Sequence, residues 1–114
     1  MRPDRAYLQD ILHASKSALA FIEDLSEESF YKSPLHQSAV VRQLEIIGEA
    51  AKKVSDETRA GHGDIPWKKM AGLRDVLIHA YDTVDMKMVW RLLKDDLPSL
   101  VTGLDKLMRG QGSE

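Results

Sequence analysis

A chain of 114 residues with a mass of 12.9 kDa has room for one hydrophobic core and none for a second domain of ordinary size. Its 43% hydrophobic and 30% charged content is that of a folded globular protein, and the absence of cysteine excludes disulfide scaffolds, thiolate metal sites and thiol nucleophiles. The net charge of −2 argues against coating nucleic acid by bulk electrostatics, yet residues 59–94 hold seven Lys/Arg against four Asp/Glu, which makes the third quarter locally basic.

Glycine and proline are sparse, and the gaps between them carry helical spacing, so the chain reads as all-α. Leu8, Ile11, Leu12, Leu19, Ile22 and Leu25 fall on three-, four- and seven-residue steps, with the small Ser15 in the gap, and predict one amphipathic helix of about five turns. Ser26 to Ser29 punctuates it, and Ser33-Pro34 breaks any short turn begun by Phe30 and Tyr31. A second helix is expected to start near Leu35–Ser38, with Val40, Leu44, Ile47, Ala51 and Val54 as a near-heptad seam for a partner helix. Ala60 to Asp64 reads as a loop, and Ile65-Pro66-Trp67 as the start of a third helix that runs toward Tyr81. Thr83-Val84-Asp85 offers a turn and cap before a helix from Met86 to Asp95. Pro98 tightens or kinks the continuation through Leu97, Leu100, Val101, Leu104 and Leu107. The expectation is a single domain over residues 1–110, a four- to five-helix up-and-down bundle, with residues 111–114 a frayed tail. No run of 18 apolar residues occurs and the opening Met1-Arg2-Pro3-Asp4 lacks a signal peptide's apolar core, so a cytoplasmic protein without a membrane segment is expected.

Reactive side chains concentrate in Leu73-Arg74-Asp75-Val76-Leu77-Ile78-His79-Ala80-Tyr81. At 100° per residue Arg74 and Tyr81 share one helical face and Asp75 and His79 another, whereas Arg74 and His79 diverge by about 140°. Either the helix ends or distorts just before His79, or the arginine of one subunit meets the histidine of another across a two-fold axis. The plain structural alternative is that Arg74 pairs with Glu45 or Glu49 and His79 caps a helix. Glu45 and Glu49, one turn apart, could suggest a di-metal carboxylate pair, but no Glu-x-x-His accompanies them and no metal site is expected. His13, His36 and His62 read as surface or edge residues, Trp67 and Trp90 as core or interface anchors. Lys52, Lys53, Arg59, Lys68 and Lys69 either guide an RNA backbone or form a solvated face.

Arg74, four residues, His79, one residue and Tyr81 form an R-x4-H-x-Y motif that resembles the HepT-like toxins of the HEPN superfamily. Similar runs extend the resemblance: Ile46-Ile47-Gly48-Glu49-Ala50, Ile65-Pro66-Trp67, Gly72-Leu73-Arg74-Asp75, Val89-Trp90 and Asp96-Leu97-Pro98. The resemblance implies a homodimeric helical bundle that cleaves RNA without a metal or other cofactor. It further implies an MNT-type nucleotidyltransferase antitoxin as partner, which transfers AMP to Tyr81. The chemistry is consistent: His79 can move protons near neutral pH, Arg74 suits the non-bridging phosphate oxygens, Asp75 can orient His79, and Glu49 can bind Arg74 or line the cleft. The other reading in a different class is a catalytically silent bundle that binds RNA, a nucleotide or a protein along the Arg74–Tyr81 edge.

Overall fold

The computed structural model describes residues 2–79 and 85–112, with backbone alone at 74–76, 78, 79, 111 and 112. In chain order the helices are α1 (Asp4–Phe21), α2 (Glu27–Tyr31), α3 (Pro34–Lys53), α4 (Asp56–Gly61), α5 (Trp67–His79), α6 (Met86–Arg91) and α7 (Leu97–Gly112), with a π-helical turn, Leu92–Asp96, joining the last two. Short polar side chains set four of the starts. Ser26, Ser33 and Ser55 accept the backbone N–H three residues on, and Asp85 accepts that of Lys87, each satisfying a donor that the first turn leaves unpaired.

The expected seam of α3 becomes core, whereas the first stripe does so only in part: α1 ends at Phe21, before Ile22 and Leu25, and Leu12, Leu19 and Leu25 are only half-buried because Ala14 and Ala18 take the inner face. Leu8, Ile11, Ala14 and Ala18 of α1 face Val40, Leu44, Ile47 and Ala51 of α3, all essentially inaccessible, and Val54 closes the seam just past the end of α3. Ser15 is fully buried in the gap of the stripe, where its hydroxyl donates to the carbonyl of Ile11 at 2.7 Å. α3 also packs along α5, and α1 along α7, so four long helical runs enclose one core.

Their directions follow from contacts at the two ends. Asp4, opening α1, bonds to Ser55 just past α3, so these helices are antiparallel. Phe30 of α2 stacks on Trp90 of α6 with ring centroids 5.3 Å apart, whereas α7 brings Lys106, Leu107 and Gly110 to a hollow beside His62 and Asp64. The foot of the bundle therefore holds the start of α1, α4 and the end of α7. The head holds α2, the start of α6 and, because α5 sets out from the foot, the end of α5.

Three details differ from the sequence reading. The expected loop at Ala60–Asp64 starts two residues later, because Ala60 and Gly61 close the short helix α4, which Ser55 caps. α7 continues through Gly112, two residues into the stretch expected to fray. The π-helical turn directly precedes Leu97-Pro98: Pro98 cannot donate to the carbonyl of Lys94 and its ring crowds that carbonyl, so the ladder widens there instead of breaking. Among the described residues no helix is long and apolar enough to cross a membrane.

Candidate functional site

α5 is built on one apolar face. Trp67, Met70, Leu73 and Leu77 are all buried, and the indole N–H of Trp67 donates to the carbonyl of His62 at 2.9 Å, fixing how the helix leaves the loop before it. The backbone stays helical through Arg74, Asp75 and His79. In that unbroken register, positions 75 and 79 lie on the face opposite the buried stripe, and position 74 lies on its flank. The helix thus neither ends nor distorts before His79, so of the two ways to bring Arg74 and His79 together, the one that needs a broken helix does not apply. The side chains of Arg74, Asp75 and His79, and all of Tyr81, lie outside the described residues.

Glu49 sits on α3 one turn before its end, exposed toward the foot, in a surface hollow with Arg2, Tyr7, Asp10, Ile46, Ala50 and Lys53. His79 closes α5 at the other end of the bundle. Glu45, the other member of the carboxylate pair, bonds to Arg42 at 3.3 Å. Among the described residues no group of three or more His, Asp or Glu side chains is placed to hold a metal ion.

The basic residues read as possible RNA guides turn out to be dispersed. Lys69 pairs with Asp96 at 2.8 Å, Arg59 donates to the carbonyl of Ala51 at 2.6 Å, and Lys53 lies 5.9 Å from the centre of the Tyr7 ring. Lys52 sits in the last turn of α3, where positive charge suits the helix end, and Lys68 is exposed on the first turn of α5. His13 is exposed, His62 lines the foot hollow, and Nδ1 of His36 is 2.6 Å from the hydroxyl of Ser33. Trp67 and Trp90 are core residues.

Among the described residues three titrating groups are displaced from their ordinary values: Arg2, raised by its hydrogen bond to Asp10, and Asp4 and Tyr31. At the foot, hydrogen bonds from Ser55 and Thr58 hold the Asp4 carboxylate below the usual range. At the head, the phenol of Tyr31 donates to Glu27 at 2.7 Å and is pushed up to about 12 by that bond. Sequence reasoning missed Asp4, whose partners are 51 and 54 residues away and leave no local signal.

Comparison with known proteins adds the family. Residues 11–107 match the model of a family described as ribonuclease HepT-like. A protein of Thermococcus cleftensis named as a probable ribonuclease HepT is 41% identical over 108 residues, covering 95% of this chain and 98% of its own. Two proteins whose names mark them as candidate RNases are similar. One, from Methanocaldococcus jannaschii, is 36% identical and covers 87% of this chain and 91% of its own; the other, from Caldanaerobacter subterraneus, is 37% identical and covers 96% and 97%. No solved structure matches.

Proposed function

We propose that this chain, which belongs to the HepT-like ribonuclease family, is the toxin of a cytoplasmic toxin–antitoxin pair. In this reading it cleaves RNA without a metal, at a site composed across a homodimer. The observation that carries the composite site is the unbroken helix through His79. With Arg74 and His79 about 140° apart on one rod, two copies of α5 meeting at a two-fold axis supply the convergence that one copy cannot.

The roles follow from the reaction. Cleavage needs a base for the ribose 2′-hydroxyl, an acid for the departing 5′-oxygen, and positive charge on the phosphorane oxygens. His79 moves the protons and the guanidinium of Arg74 holds the non-bridging oxygens with its planar fork. Asp75, one turn before His79 on the same face, orients the imidazole. Glu49, nearer the foot, has a supporting role only if the long Arg74 side chain reaches down to it. AMP transferred to Tyr81 by an MNT-type nucleotidyltransferase would bring a phosphodiester that competes for Arg74 and an adenosine that fills the cleft, which stops cleavage without unfolding.

The test is digestion of total RNA in EDTA by the wild type and by His79→Ala. Cleavage by the wild type alone supports the reading; no cleavage by either leaves the catalytically silent binding module. Light scattering should give about twice 12.9 kDa, and a monomer that cuts RNA rules out the composite site. Co-expression with the nucleotidyltransferase should add the mass of AMP to the wild type and not to Tyr81→Phe. If Tyr81→Phe is still fully neutralised, the switch lies elsewhere.

A further inference from the structure

Among the described residues five cations are held in ion pairs by the fold itself. Arg2 is bound to Asp10, Lys16 to Asp105, Lys32 to Glu28, Arg42 to Glu45 and Lys69 to Asp96. Among the described residues Arg5, Lys68, Lys87, Arg91, Lys94, Lys106 and Arg109 are exposed and form no ion pair, and of these Lys87, Arg91 and Lys94 make a row of three along one stretch of helix. The three follow at four- and three-residue steps along α6 and the π-helical turn. That spacing puts them on one side of the helix over about 10 Å of its length.

Two neighbouring carboxylates are engaged elsewhere. Asp85 accepts the backbone N–H of Lys87 as the cap of α6, and Glu27 accepts the phenol of Tyr31, the residue of α2 whose field reaches both Asp85 and Arg91. Asp95, next to Lys94, forms no ion pair with Arg91 or Lys94 among the described residues. The Lys94 ammonium lies 5.1 Å from the centre of the Trp90 ring, which holds it against the helix, and Met88 adds an exposed apolar side chain between Lys87 and Arg91. Phe30 beneath Trp90 ties the surface to the core.

Position decides what the stripe fits. α6 begins seven residues after His79, at most about 25 Å away with the connection fully extended, and both stand at the head of the bundle. We infer that Lys87, Arg91 and Lys94 form a track for the RNA backbone beside the cleavage site, gripping phosphates adjacent to the scissile one. This inference rests on the ribonuclease reading and assigns substrate contacts to residues outside the R-x4-H-x-Y motif. Phosphate contacts of this kind position a strand without reading its sequence. A single-stranded substrate matches the combination of charge with the Met88 side chain, which an unstacked base can cover.

The experiment measures binding and cleavage of a single-stranded RNA by the full chain from 50 to 200 mM salt. It compares wild type, Lys87→Gln/Arg91→Gln/Lys94→Gln, and a control of equal charge change, Arg5→Gln/Lys106→Gln/Arg109→Gln. Glutamine keeps helix propensity, and circular dichroism checks the fold. Three phosphate contacts at about 0.7 each predict that the stripe variant lowers the slope of log affinity against log salt by about two and raises KM with little change in kcat, with a smaller slope change in the control. An unchanged slope in a stripe variant that still cuts RNA overturns the track and leaves the ribonuclease reading intact. Unaltered RNA affinity with lost binding of the nucleotidyltransferase would overturn it too, by making the stripe a protein surface. A wild type that neither binds nor cuts RNA overturns both readings.

Discussion

The two ends of the bundle use similar residues for opposite purposes. At the foot, polar groups are tied to one another. Asp4 accepts from the Ser55 backbone at 3.0 Å and from the Thr58 hydroxyl at 2.6 Å, Arg59 satisfies the Ala51 carbonyl, and Trp67 that of His62. At the head, α5 runs out in the Arg74–His79 segment, and Lys87, Arg91 and Lys94 follow in a row that forms no ion pair among the described residues. A salt link or cap lowers the energy of the folded chain, but a charge left facing water does little for stability and stays available to a ligand. On the proposed reading, the difference separates residues that hold the helices together from residues that meet a substrate.

The sharpest way to break this contrast is at His79. His79→Ala should lower RNA cleavage by about 10³-fold or more, from the size of general acid–base effects, while its denaturation midpoint stays close to wild type. A loss of stability as large as a core deletion would place His79 with the structural residues. Arg74→Lys should come close behind, because lysine keeps the charge and loses the fork. Full activity in that variant would remove the phosphate clamp.

Phe30 tests whether the head is more than a site. It is completely buried and stacked on Trp90, so Phe30→Ala should cost about 3–5 kcal/mol in urea unfolding, whereas Leu35→Ala, at a side chain 77% exposed, should stay within about 0.5 kcal/mol. Equal effects at the two positions would mean that the apolar packing beneath α6 contributes nothing special.

The smallest effect is expected at the foot. Asp4→Asn should destabilise by no more than about 1 kcal/mol at pH 7 and leave cleavage unchanged. Because the carboxylate is held below its unfolded value of about 3.9, its contribution is complete above that pH and disappears as pH falls through the lower folded value. Wild type and variant should therefore converge in stability in strong acid. A gap that persists there would assign the effect to packing and not to the charge.

Much of this molecule could be read from one dimension. Val40, Leu44, Ile47, Ala51 and Val54 announce a buried seam because a helix returns to the same face about every 3.6 residues, and all five are buried. Asp85 marks a helix start because unpaired N–H groups in the first turn require an acceptor nearby in sequence, and the same need makes Ser33-Pro34, read as a break before a helix near Leu35–Ser38, the cap and first residue of α3. The family was legible as well: the R-x4-H-x-Y spacing resembles the HepT-like proteins, and the chain belongs to that family.

Partnership across the chain was not legible. Tertiary structure decided that Asp4 reaches Ser55 and Thr58, that Lys69 is held by Asp96, and that Lys87, Arg91 and Lys94, along α6 and the π-helical turn, form no ion pair among the described residues. Whether a charge is paired depends on which side chain the fold brings within about 4 Å of it. For residues tens of positions apart, neither composition nor periodicity carries that distance; only the packing of α1, α3, α5 and α7 sets it.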